Sequence, residues 1–265
     1  MNYSRSFAFL LFLSTLTSGA EPLIVAHRGA SRDAPENTLA AFRLAWEQKA
    51  DAIEGDFHLT SDGEIVCIHD GNTKRYSDRN LIVRESTLGQ LRQLKVGKSH
   101  KGKYPNAVIP TITEVFATVP DGKRIYVEVK CGPSIVPTLL DRIKDSGLTQ
   151  DQIVIISFNK EVIRTVEDKA PTFKTMWLLG LKQDRKGNRV PSLESILKTL
   201  DQISADGLSS NTHTTKSMIE SVKKAGYEYH VWTVNDGNLA KRFRQWGIDS
   251  ITTDIPGVIR SKLSD

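Results

Sequence analysis

Cysteine is nearly missing from this chain, with two residues in 265, Cys67 and Cys131, so no disulfide framework can hold the fold and an apolar core must do so. Even one bridge is disfavoured. Cys67 shares strand parity with His69, whereas Cys131 has the parity opposite to Glu128 and Lys130, which points to two diverging thiols rather than a bond. Long apolar runs are equally scarce. The longest, Phe7 to Leu16, falls short of the roughly 20 residues a membrane-spanning helix needs. It follows Arg5 and leads to Ser18-Gly19-Ala20, the layout of a secretory signal peptide rather than a retained anchor. Cleavage after Ala20 is expected, giving an exported product, periplasmic or secreted, that spans residues 21–265.

An excess of one charge sign is also lacking. The net charge of +5 falls to +4 once Arg5 is removed, and no arginine-rich arm or interleaved aromatic and basic run is present. Nucleic acid is therefore not an expected partner, although an anionic substrate or surface suits the mild excess. No repeat, low-complexity linker or charge block divides the chain. There is no Gly-x-Ser-x-Gly elbow and no His-Glu-x-x-His pair, and Gly97-Lys98-Ser99 has Arg92 where a P-loop needs its first glycine. Beyond residue 20 no Asn-x-Ser/Thr acceptor occurs.

What the chain does have is eight short apolar runs: Leu23 to Ala26, Ala52 to Phe57, Ile125 to Val129, Ile153 to Ser157, Thr175 to Leu179, Ala205 to Leu208, Tyr229 to Val234 and Ser250 to Thr253. Amphipathic segments separate most of them. In Thr38 to Gln48, for example, Leu39, Phe42 and Trp46 fall near helical spacing behind a cap at Asn37 or Thr38. Gly226 and Gly247 stand where helices would hand over to the seventh and eighth strands. Eight alternating strand and helix units predict an α/β fold, a TIM (β/α)8 barrel built as one domain. Glu64 to His69 reads as an extra short strand after a Ser61-Asp62-Gly63 turn. Residues 71–110 exceed a barrel loop and carry Lys95, Lys98, His100, Lys101 and Lys103. They read either as a solvated charged loop or as a small cap-like insertion that draws in anionic diesters or rests weakly on an anionic membrane surface.

Barrel enzymes carry their chemistry at the carboxyl ends of the strands, and the polar residues of this chain gather there. His27 and Arg28 end the first strand, Glu54 and Asp56 lie late in the second, Glu128 and Lys130 end the third, and Asp254 follows the eighth. Residues one apart on a strand share a face, so Glu54 with Asp56 can reach one cation, and Glu128 adds a third carboxylate. Three such groups repel unless a divalent ion compensates them, and oxygen ligands favour Mg2+, Ca2+ or Mn2+ over Zn2+. Each acid alone would pass for a salt-bridged strand end, such as Glu128 with Lys130. Two histidines, His27 and His69, at neighbouring strand ends supply a general acid and base pair at neutral pH. His58, His100, His213 and His230 lack that context and read as structural or surface residues.

These residues resemble the glycerophosphodiester phosphodiesterase family. The likeness rests on His27-Arg28-Gly29-Ala30, Pro35-Glu36-Asn37-Thr38, Glu54 with Asp56, Thr60-Ser61-Asp62-Gly63, His69-Asp70, Ile109-Pro110-Thr111 with Glu114, Glu128 with Lys130, and Trp232-Thr233-Val234-Asn235, from Leu23 to about Pro256. It implies a metal-dependent TIM-barrel hydrolase, using Mg2+ or Ca2+, that cleaves glycerophosphodiesters to an alcohol and glycerol 3-phosphate through attack by the substrate's own hydroxyl and a cyclic phosphate. Carried over by position, His27 and His69 would be the acid and base, and Glu54, Asp56 and Glu128 the metal ligands. Arg28 and Lys130 would hold the phosphate, and Trp232 would form an apolar wall. Gly55 departs from the family, which often has a larger apolar residue there. Competing readings are a phospholipase D-like or sphingomyelinase D-like lipid phosphodiesterase and, in a different class, an inactive barrel that binds anionic lipid or sugar phosphate.

Overall fold

The computed structural model describes residues 21–100, 102–185 and 187–264, so the expected signal peptide lies outside the described residues. In chain order the strands are β1 (Leu23–His27), β2 (Ala52–Leu59), β3 (Ile65–Cys67), β4 (Arg124–Val129), β5 (Ile153–Ser157), β6 (Lys174–Leu179), β7 (Lys182–Gln183), β8 (Arg189–Val190), β9 (Gly207–Asn211), β10 (Glu228–Trp232) and β11 (Ser250–Thr253). Strands β1, β2, β4, β5, β6, β9, β10 and β11 are parallel. They close into a barrel because β1 pairs with both β2 and β11. β3 adds antiparallel to the end of β2, and β7 with β8 forms a separate hairpin.

The helices that return the chain are amphipathic and capped in the expected way. In Leu39–Glu47 the hydroxyl of Thr38 accepts the Ala41 amide, while Asn159, Ser192, Thr215 and Asp236 cap later helices. Of the two caps expected for the first helix, Thr38 is the one used. The buried faces of the helices and the outward faces of the strands form the two largest apolar clusters, one around Phe42, Phe57 and Ile125, the other around Tyr229, Phe243 and Ile251. Inside the barrel a smaller cluster of Val25, Ala52, Tyr126, Val154, Ile156, Met176 and Leu178 fills the axis and supports Trp232. Gly226 and Gly247 end their helices at φ +96° and +73°.

Most strand boundaries shift by a residue or two from those read in the sequence, β2 running on to Leu59 and β3 covering only Ile65–Cys67, and two of the shifts are informative. The sixth barrel strand begins at Gly207 and ends at Asn211, not Ala205 to Leu208. Ala205 instead donates its amide to Leu200 and closes the preceding helix. Ser209 and Ser210 are buried inside the strand despite their polarity, and the Ser210 hydroxyl is satisfied by the Tyr229 hydroxyl at 2.9 Å. The seventh strand stops at Trp232 rather than Val234. Both cysteines are free thiols, Cys67 buried and Cys131 half-buried.

Residues 71–110 follow β3 and hold the helix Leu88–Arg92, closed by a capping box between Thr87 and Gln90. They pack on β3 through a separate small core in which Val66 and Ile68 meet Tyr76, Val83, Leu91, Val96 and Ile109. The basic character of the segment is partly neutralised within it, since Lys98 pairs with Asp78.

Just beyond β1 the chain turns sharply, with Arg28 at φ +56° and Gly29 at φ +80°. A Cβ on Gly29 would lie 2.5 Å from the backbone carbon of Ala41, so the turn brings β1's end against the first helix at a distance only glycine permits. Gly55 is different. Its absent side chain faces the Cys67 sulfur and the Phe42 and Phe57 rings, which an added Cβ would approach at 3.1 to 3.3 Å. Those groups fill the space a larger residue would occupy. Gly29→Ala is expected to cost about 3 kcal/mol or more by denaturant unfolding and Gly55→Ala about 1 to 2 kcal/mol, the ordinary scale of overpacking. Equal losses for the two variants would contradict this reading of the turn.

Candidate active site

The carboxyl ends of the barrel strands surround a cavity of about 110 Å³. Seven of the eight residues singled out from the sequence border it: His27, Arg28, Glu54, His69, Glu128, Lys130 and Trp232. The eighth, Asp56, is fully buried beside them. Glu54 and Asp56 share the inward face of β2, and the β2–β4 register sets Asp56 opposite Glu128, so the three carboxylates converge with ligand atoms all within 4.8 Å of one another.

Each imidazole is held by an aspartate. His27 Nδ1 meets Asp254 Oδ1 at 2.7 Å, and His69 Nδ1 meets Asp70 Oδ1 at 2.6 Å. An ionised carboxylate can only accept, so each Nδ1 carries the hydrogen and each Nε2 is left for proton transfer. Asp254 supports this assignment. Burial works against its charge, but the hydrogen bond and charge of His27, with bonds from Asn235 and Ser31, win and hold its pKa at about 2. Asp70 also lies at about 2, with burial outweighed by Arg75 and His69. His58, by contrast, donates from Nε2 to the His69 carbonyl (3.1 Å) and lies outside the cavity lining, and His230 is buried low in the barrel against Glu228.

The acidic trio behaves as a charge cluster short of one counter-charge. Lys130 Nζ lies 2.6 Å from Glu128 and 3.3 Å from Asp56, and Arg28 Nε lies 3.2 Å from Asp56. The ion pair read as the bland alternative for Glu128 is therefore present, but it does not exhaust the site. The contacts to Asp56 Oδ1 and from Arg28 Nε are within ion-pair distance yet off the hydrogen-bond axis, and Glu54 Oε1 is buried with no partner at all. Burial first, then the charges of Asp56 and Glu128, push Glu54 well above the carboxylate range despite Arg28. Glu128 is raised to about 7 by burial and by Asp56, against the pull of Lys130. Asp56 stays low because Arg28, Lys130 and His69, with the Asn37 side-chain amide at 2.8 Å, overcome its burial.

Three convergent carboxylates, with oxygens of Glu54 and Asp56 left without a hydrogen-bond donor, are what a hard divalent cation requires. The formal charges agree. Three carboxylates with Arg28 and Lys130 leave one negative charge, which repels an anionic substrate, whereas a divalent ion reverses the sign.

Several contributors were not legible as such in the sequence. Phe158, just past β5 and half exposed, packs edge-on against Trp232 with ring centroids 5.6 Å apart, and the two form the apolar wall of the cavity. Its position at a strand end was the available signal. Asn37, read as a possible cap, instead exchanges two hydrogen bonds with Asp56. The amide of Arg28 is bound by Glu54 Oε2 at 2.9 Å, which ties the β1 turn to β2.

The model of the glycerophosphoryl diester phosphodiesterase family matches residues 27–258. A glycerophosphodiester phosphodiesterase from Caldanaerobacter subterraneus subsp. tengcongensis is 33% identical over 249 residues, covering 88% of this chain and 94% of its own. One from Bacillus subtilis is 26% identical, covering 88% and 84%. Among solved structures, an Oleispira antarctica phosphodiesterase in complex with the product sn-glycerol-3-phosphate superposes with a TM-score of 0.84 at 26% identity, covering 92% of this chain and 98% of that one.

The raised carboxylates give a stability signature with a defined sign. A carboxyl whose folded pKa exceeds its unfolded value holds a proton that the unfolded chain has released, so stability falls as pH rises between the two. For Glu128 that window runs from its ordinary 4.5 to about 7. Metal-free protein is expected to lose thermal stability across this interval, and Mg2+ or Ca2+ to restore it with release of protons. Glu54→Gln, which removes the acid repelled by Asp56 and Glu128, should stabilise the metal-free protein and abolish the cation-dependent rise in Tm. A cation response unchanged in that variant would remove Glu54 from the ligand set.

Proposed function

This chain belongs to the glycerophosphoryl diester phosphodiesterase family, and from that premise we propose that it is a metal-dependent hydrolase that cleaves glycerophosphodiesters to an alcohol and glycerol 3-phosphate by histidine acid and base catalysis. The observation that carries the proposal is the convergence, at one barrel mouth, of two aspartate-held imidazoles with a buried carboxylate trio and two flanking cations.

Glu54, Asp56 and Glu128 would hold one divalent ion, Mg2+ or Ca2+. When bound, it neutralises charge developing on the phosphate and acidifies an attacking oxygen. With their charges no longer spent on the trio, Arg28 and Lys130 are available to the phosphate, Arg28 by its planar fork and Lys130 as a point charge. Trp232 is fixed by its indole hydrogen bond to the Ser209 carbonyl at 3.2 Å, and with Phe158 it offers the carbon face of a glycerol moiety a dry surface. One imidazole, through Nε2, removes the proton of the attacking hydroxyl, and the other protonates the leaving alkoxide. Asp254 and Asp70 stabilise whichever ring becomes cationic.

The proposal also places the enzyme outside the cytoplasm, on the strength of the pattern from Arg5 to Ala20. Sequencing the exported protein should give Glu21 as its first residue.

The deciding assay presents choline, ethanolamine, glycerol and inositol diesters of glycerol 3-phosphate, with lyso- and diacyl phospholipids alongside, under Mg2+, Ca2+ and chelator. Metal-dependent release of glycerol 3-phosphate from at least one small diester is expected. Turnover confined to phospholipids would favour the lipid phosphodiesterase reading, and none on any diester would favour the inactive barrel. His27→Ala and His69→Ala should each lower kcat about 10²- to 10⁴-fold, and near-normal turnover in either variant would overturn the assignment of that histidine.

A further inference from the structure

His69 is oriented by Asp70, and Asp70 is in turn held by a residue of the inserted segment. Arg75 Nε donates to Asp70 Oδ2 at 3.1 Å, and its Nη2 reaches Asp70 Oδ1 at 3.3 Å. The same guanidinium makes a two-point contact with Glu36, Nη1 to Oε2 at 3.0 Å and Nη2 to Oε1 at 2.9 Å. Glu36 then receives Arg28 Nη1 at 3.2 Å and the Tyr76 hydroxyl at 3.1 Å. An unbroken line of charged contacts thus runs from His69 through Asp70, Arg75 and Glu36 to Arg28. Its two ends border the cavity, while Arg75 and Glu36 do not.

Stability gives little reason for this arrangement. The Arg75 side chain is 48% exposed and its acidic partners 31% and 22%, and pairs open to water to that degree contribute about 0 to 1 kcal/mol. What a planar fork spanning two carboxylates provides is direction, since it fixes both acids relative to each other. The other imidazole has no such device. Asp254 is held by the neutral donors of Ser31 and Asn235, the latter just past β10.

We propose that Arg75 is a positioning residue for the reaction: by clamping Asp70 and Glu36 together it fixes the tautomer and orientation of His69 and the direction of Arg28, so that the inserted segment completes the active site without touching substrate. This rests on the diesterase reading above.

The test uses the purified metal-loaded enzyme acting on the best small diester. Arg75→Ala and Arg75→Lys should lower kcat about 10- to 100-fold, the scale of a small misplacement, with KM within about two-fold. Free guanidinium should restore Arg75→Ala but not Arg75→Lys, because the ammonium occupies the place without spanning both acids. Arg75→Ala should slow Asp70→Asn by much less than it slows the wild type, since only the branch through Glu36 to Arg28 is left to lose. Independently of turnover, ¹⁵N spectra of the imidazole should show His69 protonated at Nδ1 in the wild type and mixed between tautomers in Arg75→Ala. Should Arg75→Ala not fold, Arg75→Lys carries the same kcat and ¹⁵N comparisons. Wild-type kcat and an unchanged His69 tautomer in the variants would overturn the proposal, as would a loss confined to KM or additive losses in the double variant. A wild type inactive on every diester would instead defeat the functional reading, with the imidazole spectra still deciding what Arg75 does.

Discussion

The arrangement of this molecule depends on forcing three carboxylates into one buried spot. With ligand atoms within 4.8 Å, each pair of full charges repels by about 3 kcal/mol at an effective dielectric of about 20. Three such pairs approach the whole stability of an ordinary domain, about 5 to 15 kcal/mol. The fold therefore has to share the cost among partners: Arg28 and Lys130 against Asp56 and Glu128, the Asn37 amide on Asp56, and the Arg28 backbone amide on Glu54. Even so, Glu54 and Glu128 retain raised pKa values and one oxygen has no partner. A site organised for stability would not leave that remainder, whereas one organised to receive a cation must.

The parallel barrel makes this concentration possible. Adjacent strands in register present their inward residues side by side, and the pairing of Asp56 with Glu128 across β2 and β4 sets two acids on neighbouring strands at one level. The apolar plug around Tyr126, Val154 and Met176 fills the barrel below, so the charged layer rests on a dry floor. The same low-dielectric surroundings that make the acids repel would also strengthen the proposed hold on a cation and phosphate.

Much of this is legible in the amino-acid sequence. The eight strands follow from apolar runs bounded by turn residues, and the inward face of β2 follows from period-two spacing alone. The misplaced boundaries show where that signal fails. Ser209 and Ser210 are buried strand residues, the first bordering the cavity and the second bonded to the Tyr229 hydroxyl, so hydropathy pointed instead to Ala205. Partners distant in sequence were hidden for a different reason. Nothing local tells that Asp254 will face His27 across 227 positions, or that Arg75 will reach Glu36 across 39. Such contacts exist only once the barrel has closed and the insertion has settled on β3.

The two imidazoles meet one chemical requirement from different parts of the fold. Both need an ionised acid on Nδ1, and both have one with a pKa of about 2. Asp254 lies just past the last barrel strand, where β1 and β11 are directly paired, so closure of the barrel itself brings it to His27. Asp70 lies beyond the short antiparallel β3, at the start of a segment with its own small core, where no barrel register fixes it. A planar cation that also grips Glu36, within the loop after β1, supplies the missing constraint. One imidazole thus inherits its geometry from the barrel, and the other is held through an ionic tie between the insertion and the barrel. On the proposed mechanism, changes in residues 71–110 would therefore reach the chemistry through His69 while the environment of His27 stays as it is.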